Sequence, residues 1–382
     1  MALSSAQFSA ATMNIGNKIA LPDFCSKLKE LGLPSSNSWS KTIGKLQDII
    51  DSTSPSPTDV ASLETLVEWI AVYLCSFSKA VRIYELGNCS SASFLVVGRN
   101  FTIGLHKSGV ESGYPSGEFP ALAGKADCGL LISRYFLRHV TLSPTTVSVV
   151  ITTVAEYYIR ENINVTVADS AAVSKLSGYS EIIGIRKVAY EHVDVIRVSH
   201  GVTGPDVLSV DILLDVSRPG DAVLNQEEII KRFNNYHSMV TFAMNSAMSG
   251  GSPLPQPLNF FPAMEKIYNS TDGNVCELGF ATTLGGSVKR EKMKRNTADL
   301  RVETWHAGGR KAIASAAIPD TIDIYRLSVS WKISMSDDQP ILSVPGTYKA
   351  LSTGDVRHAL ILGCTEMASF DFAFSRLLAY VK

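Results

Sequence analysis

The basic residues between Lys289 and Lys311 are the clearest candidates for binding chemistry in this chain. The window holds eight lysines and arginines and three acidic residues, so its net charge is +5. The rest of the 382-residue chain has 27 basic and 33 acidic residues, a net charge of −6. Because the whole chain carries only −1, any polyanion must be bound by a local patch, and this window is the candidate.

The spacing of these charges predicts a cationic ridge on one helix. If Ser287 caps a helix, residues advance by about 100° each, and Arg290, Lys294 and Arg301 fall on one side. The cations of such a ridge can contact successive phosphates of a nucleic acid without recognising its base sequence. Trp305 and His306, with the stretch Gly308-Gly309-Arg310-Lys311, could add base stacking and further phosphate contacts. The predicted RNA-binding residues are therefore Lys289, Arg290, Lys294, Arg301, Arg310 and Lys311.

The same window has a second interpretation, a solvated helix face. Its cations would then pair locally with Glu291, Asp299 and Glu303. No motif of the common RNA-binding modules accompanies the window, so the charge pattern leaves both interpretations open.

The sequence lacks residues that the motifs for other kinds of chemistry require. A phosphate-binding loop ending at Gly124-Lys125 has Ala126 where a magnesium-binding Ser or Thr is needed, and Phe119 in place of its first glycine. Gly285-Gly286 could open an anion-binding helix, but a turn with a helix cap is the commoner meaning. There is no G-x-S-x-G elbow and no cysteine in a catalytic setting. We therefore expect no enzyme and no cofactor; an enzyme whose active site is assembled from distant residues is the alternative.

Metal binding is also not expected, because the seven histidines are isolated in the sequence. The stretch "HVDVIRVSH" brings His192, Asp194 and His200 into one extended segment. Strand alternation would place all three on one face only if the strand ran unbroken to His200.

Cysteine usage and hydropathy indicate a reduced, non-secreted protein. The six cysteines are widely scattered, without a C-x-x-C pair. The N-terminal residues lack the continuous apolar stretch of a signal peptide. No segment reaches the roughly 18 apolar residues of a membrane span. We expect no membrane partner, and the sequence identifies no small-molecule substrate.

Hydrophobic periodicity predicts the elements that must position the basic window. The clearest is a helix over residues 60–81. Shorter helices are predicted at 22–31 and 38–51, another after the capping-box pair Asn225 and Glu228, and one with an apolar stripe at the chain end. Strands are predicted at 93–98, 100–106, through most of 181–216, and at 326–335. Ser143-Pro144 resembles an N-cap followed by a proline at the first helical position, which predicts a helix to about Arg160; the β-branched run Val147–Val154 makes a strand the alternative.

These elements predict an α-rich α+β protein with two globular lobes. The Ser/Ala-rich residues 1–20 are expected to form a flexible, extended N-terminal arm. Residues 21–248 would form an N-terminal lobe of helices and strands. Residues 258–382 would form a C-terminal lobe with the basic helix and the terminal helix. The stretch "SGGSPLPQP" would link the two lobes.

In composition and layout the chain resembles the coat and nucleocapsid proteins of RNA viruses. The shared features are a loose N-terminal arm, low charge, abundant Ser, Thr, Ala and Val, and one basic window; no diagnostic motif accompanies them. The resemblance implies a homo-oligomer that packages RNA, in a virion or the host cytoplasm. Residues 1–16 contain no Lys or Arg, unlike the basic arm of many coat proteins, which favours a groove or shell wall as the RNA contact. A scaffold protein that binds no nucleic acid is the other alternative.

Overall fold

A long antiparallel sheet is the framework of the protein. The computed structural model describes residues 4–382 except 13, 53, 55, 116, 164–181, 220–221, 249–253, 284–285, 296–297, 316–320 and 334–337. The strands are β1 (Lys79–Asn88), β2 (Tyr135–Leu142), β3 (Thr146–Asn162), β4 (Ile183–His200), β5 (Val207–Asp215), β6 (Ser217–Arg218), β7 (Ala222–Val223), β8 (Asn274–Thr282), β9 (Val288–Lys292), β10 (Ile322–Ser330), β11 (Ile341–Val344) and β12 (Ala359–Leu362). Ten of them pair in the order β2-β3-β4-β5-β1-β12-β11-β10-β8-β9, and β6 and β7 form a separate small hairpin.

Helices cover both faces of this sheet. They are α1 (Ser5–Thr12), α2 (Leu21–Glu30), α3 (Trp39–Ile50), α4 (Pro57–Ser76), α5 (Ser91–Lys107), α6 (Lys125–Cys128), α7 (Gln226–Ala247), α8 (Phe261–Asn269), α9 (Thr304–Ser315), α10 (Ala350–Thr353) and α11 (Met367–Val381). Alternate residues of β5 point to opposite faces. Ile212 and Leu214 pack with α5 and α7 on one face. Leu213, between them, packs with α8 and α11 on the other face.

The expected α-rich, two-lobed α+β fold is wrong. Helix accounts for 42% and strand for 30%, a roughly balanced content. The sheet is continuous across the expected lobes, because β1 pairs with β12 through Lys79–Ile361, Ala80–Leu360 and Val81–Ala359. All strands on the β2–β1 side come before residue 216, and all on the β12–β9 side come after residue 273. The domain limits 21–248 and 258–382 themselves stay a prediction.

The expected extended N-terminal arm is also wrong in the residues described. Residues 5–12 form α1, and Ile15–Asn17 form a 3-10 turn. Phe8, Ile15 and Ile19 are fully buried in a hydrophobic cluster with residues of α2, α3 and α4. The three apolar residues recur at steps of seven and four, but the Ser- and Ala-rich sequence between them hid this pattern.

Two predicted elements change type or length. The helix predicted over 60–81 ends at Ser76, because Ser78 adopts a left-handed conformation (φ 51°) and Lys79 begins β1. The strands predicted at 93–98 and 100–106 are one helix, α5, whose N-cap Ser90 accepts a hydrogen bond from the Ser93 amide. Their β-branched and aromatic residues suggested strand, but tertiary packing of the buried stripe decides for helix.

Other predictions are confirmed. The helices near 22–31 and 38–51 are α2 and α3. Asn225 and Glu228 form the capping box of α7. The apolar stripe of the terminal helix is buried on α11, through Phe370, Phe374, Leu377 and Leu378. One further prediction is wrong: the segment expected to form a helix from Ser143 to about Arg160 lies, from Thr146 on, in the strand β3, the alternative that its β-branched residues indicated.

Candidate nucleic-acid interface

The basic window begins with the strand at one end of the sheet, so the helical ridge predicted from Ser287 is wrong. Gly286 has a φ of 59°, which suits the turn between β8 and β9. The Ser287 amide donates a hydrogen bond to Thr282 Oγ1, which closes that turn. The β9 strand then runs antiparallel to β8, with β8 on one side and no described strand on the other.

Strand alternation distributes the charges of β9 over both faces of the sheet. Lys289 lies opposite Phe280, and Glu291 opposite Leu278, on one face. Arg290 and Lys292 lie on the other face. The window therefore surrounds a sheet edge instead of forming one side of a helix.

Arg290 and Arg326 share a single carboxylate. Arg290 Nε is 2.8 Å from Glu277 Oε1, and Arg326 Nε is 2.5 Å from the same atom. The Glu277 side chain is only 9% exposed, whereas that of Arg290 is 56% exposed. Two guanidinium groups on one carboxylate leave a net positive charge at this place. Arg326 was not predicted, because nothing in the sequence indicates that β10 and β9 flank β8.

Arg301 has an internal structural role. Its Nε lies 3.0 Å from both carboxylate oxygens of Asp299, and its Nη2 is 2.5 Å from the Gly273 carbonyl oxygen. Its Nη1 donates to the carbonyl of Ser270. Burial alone would raise the pKa of Asp299, but hydrogen bonds from Arg301 outweigh it and lower that pKa. The guanidinium thus fastens the 270–273 turn and is occupied within the protein.

The α9 helix lies beside β9 and is held there by His306. Its Nδ1 is 2.7 Å from Glu291 Oε2, and its Nε2 is 2.7 Å from the hydroxyl of Tyr268. Its ring also meets the edge of Phe280, with 5.7 Å between the ring centres. The imidazole is 4% exposed, so it is an anchor and not a stacking surface.

The remaining part of α9 faces solvent and carries further cations. Arg310 and Lys311 are exposed, and the Arg310 guanidinium lies 5.2 Å from the centre of the Tyr268 ring. Trp305 is 86% exposed. Two basic segments that are separate in the sequence, β9 and α9, are therefore neighbours in the structure. We call them the β9–α9 surface, comprising residues 288–295 and 305–311.

The acidic residues of the window are engaged internally. Glu291 binds His306, Asp299 binds Arg301, and Glu303 accepts the backbone amides of Trp305 and His306. Within the described ranges, no carboxylate comes within 4.0 Å of the side-chain nitrogens of a set of exposed cations. These are Lys289, Lys292, Lys294, Arg295, Arg310 and Lys311.

A second group of charges is buried under the N-terminal segment. Asp215 accepts hydrogen bonds from Lys18 Nζ, at 2.6 Å, and from the Val193 amide, at 3.1 Å. Burial would raise the pKa of Asp215, but the positive charges of Lys18 and Lys79 outweigh it and hold that pKa well below its usual range. The Lys79 ammonium donates to the carbonyls of Leu74 and Val193. This network ties the segment around Lys18 to β4 and β5.

The buried histidine and aspartate of β4 belong to the same network. Asp194 accepts two hydrogen bonds from Arg232 Nη2, at 2.8 and 2.6 Å, and one from the Tyr236 hydroxyl. His192 Nε2 lies 2.7 Å from the Tyr157 hydroxyl, and burial lowers the pKa of His192 well below its usual value. His200 instead contacts the carbonyl of Cys89. Among the residues described, no group of three potential ligands is placed to hold a metal ion.

A cavity of about 950 Å³ opens between α5, α7 and β3. Tyr157 and Arg232 line it, but their polar atoms are already bonded to His192 and Asp194. We therefore place the candidate functional site at the β9–α9 surface, where six exposed cations without a carboxylate partner within 4.0 Å are brought together from two segments of the described chain.

Comparison with family models, with curated proteins and with solved structures finds no match for this chain. In the described part of the chain, every helix is too short or too polar to cross a bilayer.

Proposed function

We propose that this protein is a self-assembling structural protein that packages RNA, as coat and nucleocapsid proteins of RNA viruses do. It would bind the phosphate backbone without sequence specificity and reside in a virion or the host cytoplasm. One observation carries the proposal: within the described residues, the β9–α9 surface holds six exposed cations without a carboxylate partner, in a protein whose total net charge is −1.

The placement of these cations supports backbone contacts over base reading. They lie on a sheet edge and on an exposed helix, and all six are Lys or Arg side chains, which commonly contact phosphate oxygens. Phosphate contacts of this kind release counterions, so the affinity should fall steeply with salt. The surface proposed to contact phosphate includes Lys289, Arg290, Lys294, Arg310 and Lys311. Arg301 is left out, because its guanidinium is occupied within the protein.

Self-assembly is supported by the outer part of the β3–β4 hairpin. The β2 strand pairs with β3 only between Val147 and Thr153, and β5 pairs with β4 only between Val195 and His200. In the described structure, residues 158–162 therefore pair only with residues 183–187. We call these two segments the hairpin arm. A two-stranded hairpin alone is marginally stable in water, so a covering partner would stabilise it.

One face of the hairpin arm carries three exposed apolar side chains. Tyr158, Ile183 and Ile185 lie on this face and are 61%, 52% and 66% exposed. The nearby charges pair within the hairpin, Lys187 with Glu156 and Arg186 with Glu161. Arg160 and Asn162 lie on the same face, opposite Ile185 and Ile183. A face that mixes three exposed apolar side chains with polar ones and internally paired charges resembles a protein–protein interface. We assign a second copy of this chain as its partner, consistent with the proposed homo-oligomer.

Salt-dependent RNA binding tests the proposal. The triple variant Lys289→Gln, Lys294→Gln, Lys311→Gln removes three of the cations without a carboxylate partner. Its log affinity for RNA should depend less steeply on log salt, by about two to three in slope, because each neutralised phosphate contributes about 0.7–0.9. Binding to different RNA sequences should weaken alike.

A matched variant controls for the loss of net charge. Lys29→Gln, Lys41→Gln, Lys107→Gln removes three exposed lysines from α2, α3 and α5, and should keep the parental salt slope. If the log affinity of the parent and of the β9–α9 variant depends equally steeply on log salt, the cations of this surface do not contact RNA and are only solvated. A parent that binds no RNA at low salt would refute packaging and favour a scaffold protein.

A further inference from the structure

Trp305 has a large apolar side chain that is almost fully exposed to water, which is unfavourable for such a ring. Its side chain is 86% exposed, whereas Trp69 and Trp331 are 8% and 5% exposed. Its backbone amide donates to Glu303 Oε2, which fixes the first turn of α9 but leaves the ring free. A large apolar ring held in water at a fixed place is typical of a contact residue for a partner.

The surroundings of Trp305 indicate the charge of that partner. The next residue, His306, is bonded to Glu291 of β9. Lys289 lies on the same face of β9 as Glu291, two residues away, and faces the same helix. Arg310 and Lys311 follow within two turns of α9. The indole therefore belongs to the same surface as exposed cations of both β9 and α9, although Arg310 and Lys311 project from other sides of the helix. An exposed aromatic ring and cations on one surface suit a polyanion with planar groups.

Helix geometry keeps the indole clear of the protein. Residues advance by about 100° around a helix, so Trp305 points well away from the buried His306. Gly308 and Gly309 occupy the adjoining turn and are exposed. Because glycines carry no side chain, a flat ring can approach Trp305 over this turn.

We infer that the β9–α9 surface binds single-stranded RNA, with one base stacked on the indole of Trp305 and the neighbouring phosphates on the exposed cations. The inference rests on the proposed function and names its substrate class. In a duplex, the bases are stacked on one another and cannot cover a side chain, so only an unpaired strand makes both contacts.

Two substitutions and three probes test the inference on the full-length protein. Trp305→Ala removes the ring, and Val302→Ala removes a comparably exposed apolar side chain three residues away (77% exposed). The probes are an oligouridylate, the same oligomer without its bases, and an RNA duplex. Trp305→Ala should weaken oligouridylate binding by about 5- to 150-fold, as loss of one stacked base does. Binding to the baseless oligomer and to the duplex should not change, and Val302→Ala should bind like the parent.

The outcomes separate this inference from the proposed function. If Trp305→Ala binds oligouridylate like the parent, or loses affinity equally for all three probes, base stacking is refuted while backbone binding stands. If the parent binds none of the probes at low salt, both proposals fail, and the exposed indole is a contact for a protein partner. Circular dichroism of each variant checks that the fold is retained.

Discussion

A buried carboxylate that titrates near neutrality lies between β5 and α11. Asp211 is 1% exposed, and its Oδ1 has no hydrogen-bond partner in the described structure. Its Oδ2 is 3.4 Å from Arg197 Nη2. Burial raises the pKa of Asp211 to about 6, although Arg197 opposes this shift. The folded state therefore holds a proton at a pH where the unfolded chain has lost it.

This shift predicts how Asp211→Asn changes the pH dependence of stability. Between the unfolded pKa of 3.8 and the folded pKa of about 6, the native protein binds more protons, so its stability falls as the pH rises. Asparagine does not titrate, so the variant lacks this pH-dependent fall in the free energy of unfolding. The free energy of unfolding of the variant, minus that of the parent, should therefore rise by roughly 1.4 kcal/mol for each pH unit in this interval.

Urea denaturation at several pH values between about 4 and 7 measures this difference. Asp371→Asn removes the other carboxylate bonded to Arg197 and controls for the loss of a partner of that guanidinium. A difference between Asp211→Asn and the parent that does not vary with pH would contradict the raised pKa.

Single residues also show what the charge pattern could and could not predict. The local excess of positive charge in the sequence indicated the right part of the chain, and five of its six candidates are exposed. It could not indicate that Arg301 binds the carbonyls of a turn some thirty residues earlier. Nor could it indicate that Arg290 shares Glu277 with Arg326. Such partners come from other strands, and only the folded chain brings them together.

At the scale of elements, the hairpin arm provides a direct test of assembly. Ile185→Asp places a charge on the face that we assign to a second copy, and it should lower the assembly size in sedimentation velocity. Because Ile185 is 66% exposed, the unfolding free energy should change by no more than about 0.5 kcal/mol.

The matched control for this variant is Ile163→Asp. Ile163 is also exposed, but its side chain lies over Gly184 on the other face of the arm. It should sediment like the parent. If Ile185→Asp also keeps the parental sedimentation profile, this face of the arm does not mediate assembly.

Elements with a long apolar period were predictable, and short apolar runs were not. α2, α3, α7 and α11 follow from periodicity and caps in the sequence. α5 was predicted as strands, although Phe94, Val97, Phe101 and Leu105 repeat every three or four residues and are buried. β9 was predicted as a helix, because charged residues carry no period that separates the two structures. The segment is a strand because it pairs with β8.

At the scale of the whole molecule, the N-terminal segment is part of the core. Deleting residues 1–16 removes Phe8 and Ile15, which are fully buried against α3 and α4. We therefore expect the deletion to destabilise the fold. Phe8→Ala alone should lower the unfolding free energy by about 3–5 kcal/mol.

Thermal and urea denaturation of Phe8→Ala measure this effect, with Lys41→Ala, an exposed position on α3, as the surface control. The control should stay within about 0.5 kcal/mol of the parent. A deletion variant as stable as the parent would mean that the segment is a removable arm after all.

The pairing of β1 with β12 has a consequence for synthesis of the chain. The strands from β1 to β5 leave the ribosome first and can form their part of the sheet, but the partner of β1 lies near the C-terminus. At about 5–20 residues per second, translation of the intervening chain takes roughly tens of seconds. Throughout that time the β1 edge remains an open template for other strands. A nascent or prematurely terminated chain is thus the form of this protein most prone to aggregate, and completing its last strand removes that hazard.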